Sequence, residues 1–165
     1  MKYSPLQRVI LATATGFGLG FIPFASGTFG SLAGVPLALG LARFSICGQM
    51  AGAFLLALLA VPICDVAERL LGGKKDDGRI VADEWMLLPV SVIGLPLLQH
   101  PWLLIPAFLV ARICDIVKPP PARGLQRLPG GVGIVIDDLI ASLYALAINH
   151  VLWALWQMAS APAAT

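Results

Sequence analysis

The sequence predicts an all-α, polytopic helical membrane protein. Hydrophobic residues make up 58% of the 165-residue chain and charged residues only 12%, whereas a soluble domain usually carries about 25% charged residues. All nine carboxylates fall within or just before three short windows, and the sequence between the windows is largely apolar. This spacing is typical of membrane segments connected so that every acid returns to one side. We expect a single domain over residues 1–165, with a core at 11–158 and a disordered tail at 159–165.

Five apolar stretches predict about four to five apolar helices. A straight membrane span needs about 20 residues, so the third and fourth stretches are short, and they alternatively form a helical hairpin that only dips into the bilayer. The segment 6–24 contains several glycines and Pro23, which predict a short interfacial helix followed by a glycine-rich loop. The five stretches are 31–47, 49–71, 85–98, 102–117 and 134–158.

The basic residues orient these helices. Cytoplasmic loops of membrane proteins carry an excess of Lys and Arg. If five spans are threaded with the N-terminus inside, ten of the eleven basic residues and all nine acids lie on or near the cytoplasmic side, and only Arg43 falls toward the other. The net charge of +2 is too small to indicate a nucleic-acid partner, and the three cysteines have no spacing typical of a disulfide framework or a zinc site.

A glycine-rich stretch at 16–31 precedes the first long apolar segment. Its glycines allow backbone N–H groups to point toward an anion, and a helix N-terminus would add a favourable dipole. Ser26, Thr28 and Ser31 add hydroxyl groups. Small residues also let membrane helices pack closely. The spacing leaves phosphate binding and close packing equally open.

Two acidic pairs lie at or inside apolar segments. Asp83 and Glu84 stand at the head of one, and Asp137 and Asp138 enter another. Ionised groups are costly in a membrane, so such residues are functional candidates. By contrast, the loop residue Asp77 is more simply explained as part of a solvated segment.

A third set of charged residues lies on one face of a predicted helix. Arg112, Asp115 and Lys118 are spaced three residues apart, so they form a single stripe on a helix. Three prolines then end the helix. The stripe is either an intrahelical ion-pair ladder or a part of a site that faces the other acids, and we favour the site.

The chemistry of these residues points to a divalent cation and a phosphate. Carboxylate oxygens without histidine or thiolate suit Mg²⁺ first, and the neighbouring Lys and Arg suit a phosphate. No cysteine has an arginine six positions later, no Asp-x-Asp-x-Thr occurs, and neither histidine lies in the charged cluster. These absences favour metal-assisted hydrolysis, and a covalent route through an aspartate stays open.

Taken in order, these stretches resemble the phosphatidylglycerophosphatase A family over roughly residues 11–148. The first shared motifs are the glycine-rich stretch with Gly27-Thr-Phe-Gly-Ser, and Lys75-Asp76 before Ile80-Val81 and the acidic pair at 83–84. Arg112 with Asp115 and Lys118-Pro119 follows, and then Gly130-Gly-Val-Gly-Ile before Asp137-Asp138. The resemblance implies a Mg²⁺-dependent enzyme of the bacterial inner membrane. Such an enzyme removes the terminal phosphate of phosphatidylglycerophosphate, and its partner is therefore a phospholipid in the bilayer.

On this basis we predict the roles of the site residues. The catalytic residues are Asp83, Glu84, Asp115, Asp137 and Asp138. The metal ligands are Asp76, Asp83, Glu84, Asp137 and Asp138. The substrate-binding residues are Gly27, Thr28, Arg112, Lys118 and Arg123.

Two other classes of function stay open. A small ion or phosphate transporter would explain intramembrane acids, although their position at one face leaves no polar route across. A membrane phosphotransferase would also act on phosphorylated lipids. However, its Asp-Gly-x-x-Ala-Arg signature is absent, since Asp77-Gly78 is followed by Arg-Ile-Val-Ala and then Asp83.

Overall fold

The computed structural model describes residues 3–74 and 77–161, and within these ranges the chain contains helices and turns and no strand. This confirms the predicted all-α class. Short 3₁₀ segments occur at Gly16–Phe21, Leu88–Val92 and Pro101–Leu103. The α-helices are α1 (Pro5–Ala14), α2 (Ser26–Ala33), α3 (Val35–Leu41), α4 (Ile46–Leu70), α5 (Ala82–Leu87), α6 (Leu104–Val117), α7 (Ala122–Leu125) and α8 (Gly130–Ser160).

Two helices, α4 and α8, are long and apolar enough to cross a membrane. Only 22% of the most apolar part of α4 is buried, against 50% for α8. The core helix of a soluble protein would be mostly buried, so α4 has the exposed apolar surface expected of a membrane helix. These two helices correspond to the predicted stretches 49–71 and 134–158. The predicted total of four to five apolar helices is not confirmed.

The stretch 85–98 differs most from its prediction. It is not one helix, because α5 ends at Leu87 and a 3₁₀ segment follows to Val92. Pro89 lacks a backbone donor, and Gly94 adopts a φ of +76° that a helix does not allow. The segment is nevertheless buried, and Leu88, Val92 and Leu97 belong to the core. It is a broken segment enclosed by the other helices.

Two further predicted boundaries shift. The stretch 31–47 divides into α2 and α3 at Gly34. Helix α8 continues to Ser160, two residues into the predicted tail, and residues 162–165 lie outside the described part of the chain.

The N-terminal segment has the predicted order of a short helix and then a glycine-rich irregular stretch. Ser4 caps α1, since its Oγ accepts a hydrogen bond from the Gln7 N–H at 3.3 Å and the Gln7 side chain accepts one from the Ser4 N–H at 2.9 Å. Gly16 and Gly18 then adopt positive φ values of 57° and 104°. These values prevent α1 from continuing.

Helix α8 is the centre of the fold and packs against α4, α5, α6 and the 3₁₀ segment Leu88–Val92. Its contact with α4 is close, because a Cβ at Gly131 would overlap the Val61 carbonyl oxygen. One end of the bundle holds the acids. The other end holds the ring cluster formed by His100, Trp102, Trp153 and Trp156.

Candidate active site

Five carboxylates gather where α5, α6 and α8 meet. They are the five residues predicted to be catalytic: Asp83, Glu84, Asp115, Asp137 and Asp138. Four of them, all except Asp137, line a cavity of about 250 Å³ together with Lys118. The remaining lining residues are Ser26, Gly78, Ile80 and Ile116.

Helix α5 places Asp83 and Glu84 in its first turn, where acidic side chains complement the helix dipole. The Oδ1 atom of Asp83 is buried and has no hydrogen-bond partner among the described residues. Burial raises the pKa of Asp83 well above its usual value, and the nearby charges of Glu84 and Asp115 raise it further. The ionised form of Asp83 is therefore unfavourable unless a cation lies beside it, and otherwise its carboxyl group holds a proton.

Arg112 connects three elements of the site. Its Nη1 atom donates to Asp115 Oδ2 at 2.6 Å and to Ser31 Oγ at 2.9 Å, and it lies 3.6 Å from Glu84 Oε1. Ser31 is on α2, and its hydroxyl group in turn donates to the Gly27 carbonyl at 2.9 Å. Arg112 is thereby held between α2, α5 and its own helix.

Lys118 ends α6 with a left-handed backbone conformation, φ 47°. Its ammonium group forms ion pairs with Asp137, with Asp138 Oδ1 at 3.1 Å and with Asp115 Oδ1 at 3.7 Å. Burial acts to lower the pKa of Lys118, but these carboxylates outweigh burial and raise the pKa above its ordinary value. Lys118 is therefore positively charged. Since Asp115 contacts both Arg112 and Lys118, the predicted stripe of these three residues is confirmed.

The glycines of α2 allow α5 to approach closely. A Cβ at Gly27 would overlap Glu84 Oε1 and lie 2.8 Å from Arg112 Nη2. At Gly30 it would lie 2.6 Å from Val81 Cβ, and at Gly34 2.5 Å from the Trp85 carbonyl oxygen. Close packing, one of the two interpretations of the stretch 16–31, therefore accounts for Gly27 and Gly30, and Gly34, just after α2, follows the same pattern.

The residues present suit Mg²⁺ in their chemistry, with one reservation about their arrangement. All candidate ligands offer carboxylate oxygen, and the unpartnered Oδ1 of Asp83 is an acceptor that a cation would satisfy. Within residues 3–74 and 77–161, however, no three His, Cys, Asp or Glu side chains are arranged to hold a metal ion. Glu84 lies near Arg112 instead, and Asp137 and Asp138 form ion pairs with Lys118. Asp76, the fifth predicted ligand, lies outside the described residues.

Some predicted residues do not join the cluster. Arg123 is exposed on α7 and is not part of the cavity lining. Thr28 lies within α2, where its N–H already donates to the Ala25 carbonyl at 2.9 Å. Asp77 is buried rather than solvated, because Arg79 donates to its two oxygens at 2.9 and 2.6 Å. The Arg79 side chain thereby lowers the pKa of Asp77 to about 2.

Three serines join the predicted site, and two of them, Ser26 and Ser31, come from the glycine-rich stretch whose hydroxyl groups are candidates for phosphate binding. Ser31 holds Arg112, Ser26 lines the cavity, and Ser142 lines a narrow crevice that continues from the acids between α6 and α8. Ser142 follows Asp138 by four residues, so helical spacing could have indicated it. The contact between Ser31 and Arg112 joins residues 81 positions apart, and no local pattern predicts it.

A family model described as "Phosphatidylglycerophosphatase A" matches residues 12–153 of this chain. The chain belongs to the phosphatidylglycerophosphatase A family. This confirms the resemblance found in the sequence, whose motifs supply most of the residues around the cavity.

Individual relatives agree with this assignment. The chain is similar to two proteins named "Phosphatidylglycerophosphatase A". The one from Haemophilus influenzae is 35% identical over 88% of this chain and 92% of the relative. The one from Escherichia coli is 32% identical over 88% and 84%. A third relative, from Bacteroides thetaiotaomicron, is 34% identical over 90% and 94% and is named "Putative phosphatidylinositol-3-phosphatase". No solved structure matches the chain.

Proposed function

We propose that this protein hydrolyses the terminal phosphomonoester of phosphatidylglycerophosphate, producing phosphatidylglycerol and inorganic phosphate. The observation that carries the proposal is family membership over residues 12–153. The cavity is consistent with it, because acids and two cations gather at one end of a bundle that contains two membrane-length helices. A phospholipid headgroup lies at that level while its acyl chains stay in the bilayer.

The two cations would bind the phosphate. Lys118 and Arg112 now pair with carboxylates, so an entering phosphate would share or replace these partners. Arginine suits phosphate oxygens because of its planar set of donors, and lysine adds a compact positive charge. Their positions on one stripe of α6 would hold the phosphate above Asp83 and Asp138.

The acidic side chains of the cavity would donate and accept the protons of the reaction. A water oxygen attacks phosphorus, the bond between phosphorus and the glycerol oxygen breaks, and that leaving oxygen takes a proton. Asp115 lines the cavity and is the one predicted catalytic acid outside the metal set proposed below. It is therefore suited to accept the proton of the attacking water and to pass a proton to the leaving oxygen.

We further propose that the enzyme uses Mg²⁺. Asp83, Glu84 and Asp138 face the cavity and would hold the ion, with Asp76 and Asp137 completing the set. A bound divalent cation polarises a phosphoryl oxygen and stabilises the charge of the leaving oxygen. In that state Asp83 would be an ionised ligand, and the ion would satisfy its unpartnered Oδ1.

The location is also a proposal. We infer a multi-pass protein of the bacterial inner membrane with its acid cavity facing the cytoplasm. The bacterial relatives, the two membrane-length helices and the excess of Lys and Arg on the acid side support this location. Its partner is the phospholipid substrate rather than a nucleic acid.

Phosphate release by the purified protein in detergent tests the function. We expect rapid release from phosphatidylglycerophosphate in Mg²⁺, complete loss with a chelator, and recovery when Mg²⁺ is restored. Phosphatidylinositol 3-phosphate is the matched comparison, because one relative bears the name of a phosphatase for that class of lipid. Faster release from this second lipid would overturn the substrate assignment. Absence of release from both, with phosphate uptake into sealed vesicles, would favour the transporter.

A further inference from the structure

Ile116 joins the charged cavity to the outer surface of the protein. It lines the cavity beside Asp115 and Lys118, yet its side chain is 69% exposed. An apolar side chain at the wall of a polar cavity is not needed to bind phosphate. Its position instead marks a place where an apolar part of a ligand could leave the cavity.

The outer surface of α6 continues from Ile116 as an unbroken apolar stripe. Ile105, Leu109, Ile113 and Ile116 are all exposed, and their spacing of four, four and three residues places them on one helix face. We call these four residues the α6 stripe. From Ile105 to Ile116 the helix rises by roughly 16 Å, close to half of a hydrocarbon core about 30 Å thick. The stripe therefore has the depth of one leaflet.

The cationic groups lie at one end of this stripe. Arg112 flanks it, and Lys118 lies just beyond Ile116 with its ammonium group in the cavity. A ligand that matches both surfaces has an anionic head and a long apolar tail. We propose that the α6 stripe is the docking surface for an acyl chain of the phospholipid substrate, whose headgroup enters the acid cavity sideways from the bilayer past Ile116. This inference rests on the proposed function.

A comparison with a second apolar groove shows why we assign acyl-chain docking to α6. Between α4 and α8, exposed Phe54 and Leu58 border a groove of about 140 Å³ lined by apolar side chains alone. That groove can hold a lipid tail but offers no site for a phosphate. Through Ile116 the α6 stripe meets the cavity that holds Lys118 and the acids, so it alone of these two surfaces can hold head and tail together.

Kinetics of two substrates test the docking surface. Ile116→Ser is compared with Ile46→Ser, a matched control at the first position of α4, where Ile46 is 58% exposed and remote from the acids. The substrates are long-chain phosphatidylglycerophosphate in nanodiscs and its water-soluble deacylated form. For Ile116→Ser we expect KM for the long-chain lipid to rise about tenfold, because an apolar contact is replaced by a hydroxyl group. The ratio of kcat/KM for the long-chain lipid to kcat/KM for the deacylated form should therefore fall in Ile116→Ser, whereas all constants of Ile46→Ser should stay unchanged.

Two kinetic results would overturn the inference. Equal losses on both substrates would make Ile116 a part of the phosphate site rather than of a tail site. An unchanged KM for the long-chain lipid would show that the tail does not contact this residue.

Cross-linking gives a readout that does not depend on turnover. The probes are phosphatidylglycerophosphate and phosphatidylcholine with the same photoreactive acyl chain, and labelling is mapped by mass spectrometry. We expect the ratio of labelling by the two lipids to favour the phosphomonoester lipid at Ile105, Leu109 and Ile113. At Phe54 and Leu58 the ratio should be equal to one. Equal ratios on α4 and α6 would mean ordinary lipid contact and would refute the docking surface.

These measurements separate the two proposals. If the wild-type protein releases no phosphate from either substrate, the proposed function fails, and the labelling ratio still decides whether α6 docks a phosphomonoester lipid. If the protein is active but the ratios are equal, only the docking inference fails.

Discussion

The acid end and the aromatic end of the bundle share helix α8 but are built on opposite principles. At the acid end, Asp137 and Asp138 are buried, and both form ion pairs with Lys118. At the aromatic end, stacked rings of Trp153 and Trp156 lie 5.0 Å apart, and His150 contacts the Ile93 carbonyl at 2.8 Å. One end holds charges that are costly to bury, and the other is held together by ring contacts and by the contact of His150 with the Ile93 carbonyl. Catalysis should therefore be sensitive at the acid end, and stability at the aromatic end.

The largest expected effect is at Asp138. Asp138→Asn removes a buried charge that lines the cavity and pairs with Lys118. We expect kcat to fall by about a hundredfold or more, the scale for losing a group that stabilises the reacting charge. Phosphate release and thermal unfolding in detergent measure the two properties. A folded Asp138→Asn protein with near wild-type turnover would remove Asp138 from the site.

The second-largest effects are expected at Gly27 and Gly131, and they should differ in kind. Gly27→Ala would displace the flexible ends of Glu84 and Arg112, whereas Gly131→Ala would collide with the Val61 carbonyl of α4. We therefore expect Gly27→Ala to lower turnover about tenfold, as misplacement of site groups does, with little change in melting temperature. Gly131→Ala should instead reduce stability.

Gly40→Ala is the matched control for both variants. A Cβ at Gly40 meets nothing within 4 Å, so turnover and melting temperature should stay at wild-type values. Unaltered activity of Gly27→Ala would contradict the proposed close contact between α2 and Glu84, and its unfolding would show that the Glu84 and Arg112 side chains cannot shift to accept a methyl group.

At the aromatic end, Trp153→Ala should act on stability alone. Trp153 packs against His100, Trp156 and the core cluster that contains Leu103. We expect a loss of about 2 kcal/mol in unfolding free energy, below the range for a fully buried tryptophan because the side chain is only partly buried. The kcat of the folded fraction should not change. A loss of kcat with intact folding would mean that the two ends are coupled.

The smallest effect is expected at Ser31. Ser31→Ala removes one hydrogen bond to Arg112 but leaves its ion pair with Asp115. A hydrogen bond from Arg112 to a neutral hydroxyl group contributes about 1 kcal/mol to holding the Arg112 side chain in place. KM for the phosphorylated lipid should therefore rise about fivefold while kcat stays nearly constant. If kcat falls instead, Ser31 acts on the reaction step rather than on the position of Arg112.

Local patterns in the sequence accounted for the helical class, the two long apolar helices and the stripe of Arg112, Asp115 and Lys118. These features depend on composition and on the 3.6-residue period of a helix, which any short window of sequence contains. Ordered motifs also identified the family, and the five catalytic candidates do lie together. Their individual roles stay predictions.

Tertiary structure decided what depends on contacts between distant elements. Close packing explains the α2 glycines only because α5 lies against them, and Ser31 meets Arg112 only because α2 and α6 converge. Length and hydropathy suggested that 85–98 crosses or dips as a helix, yet packing encloses it as a broken segment. Burial of a segment depends on its neighbours in space, and so does the choice of Lys118 as the partner of Asp137 and Asp138. The sequence determined which residues are charged, and the packing of helices determined which charges meet.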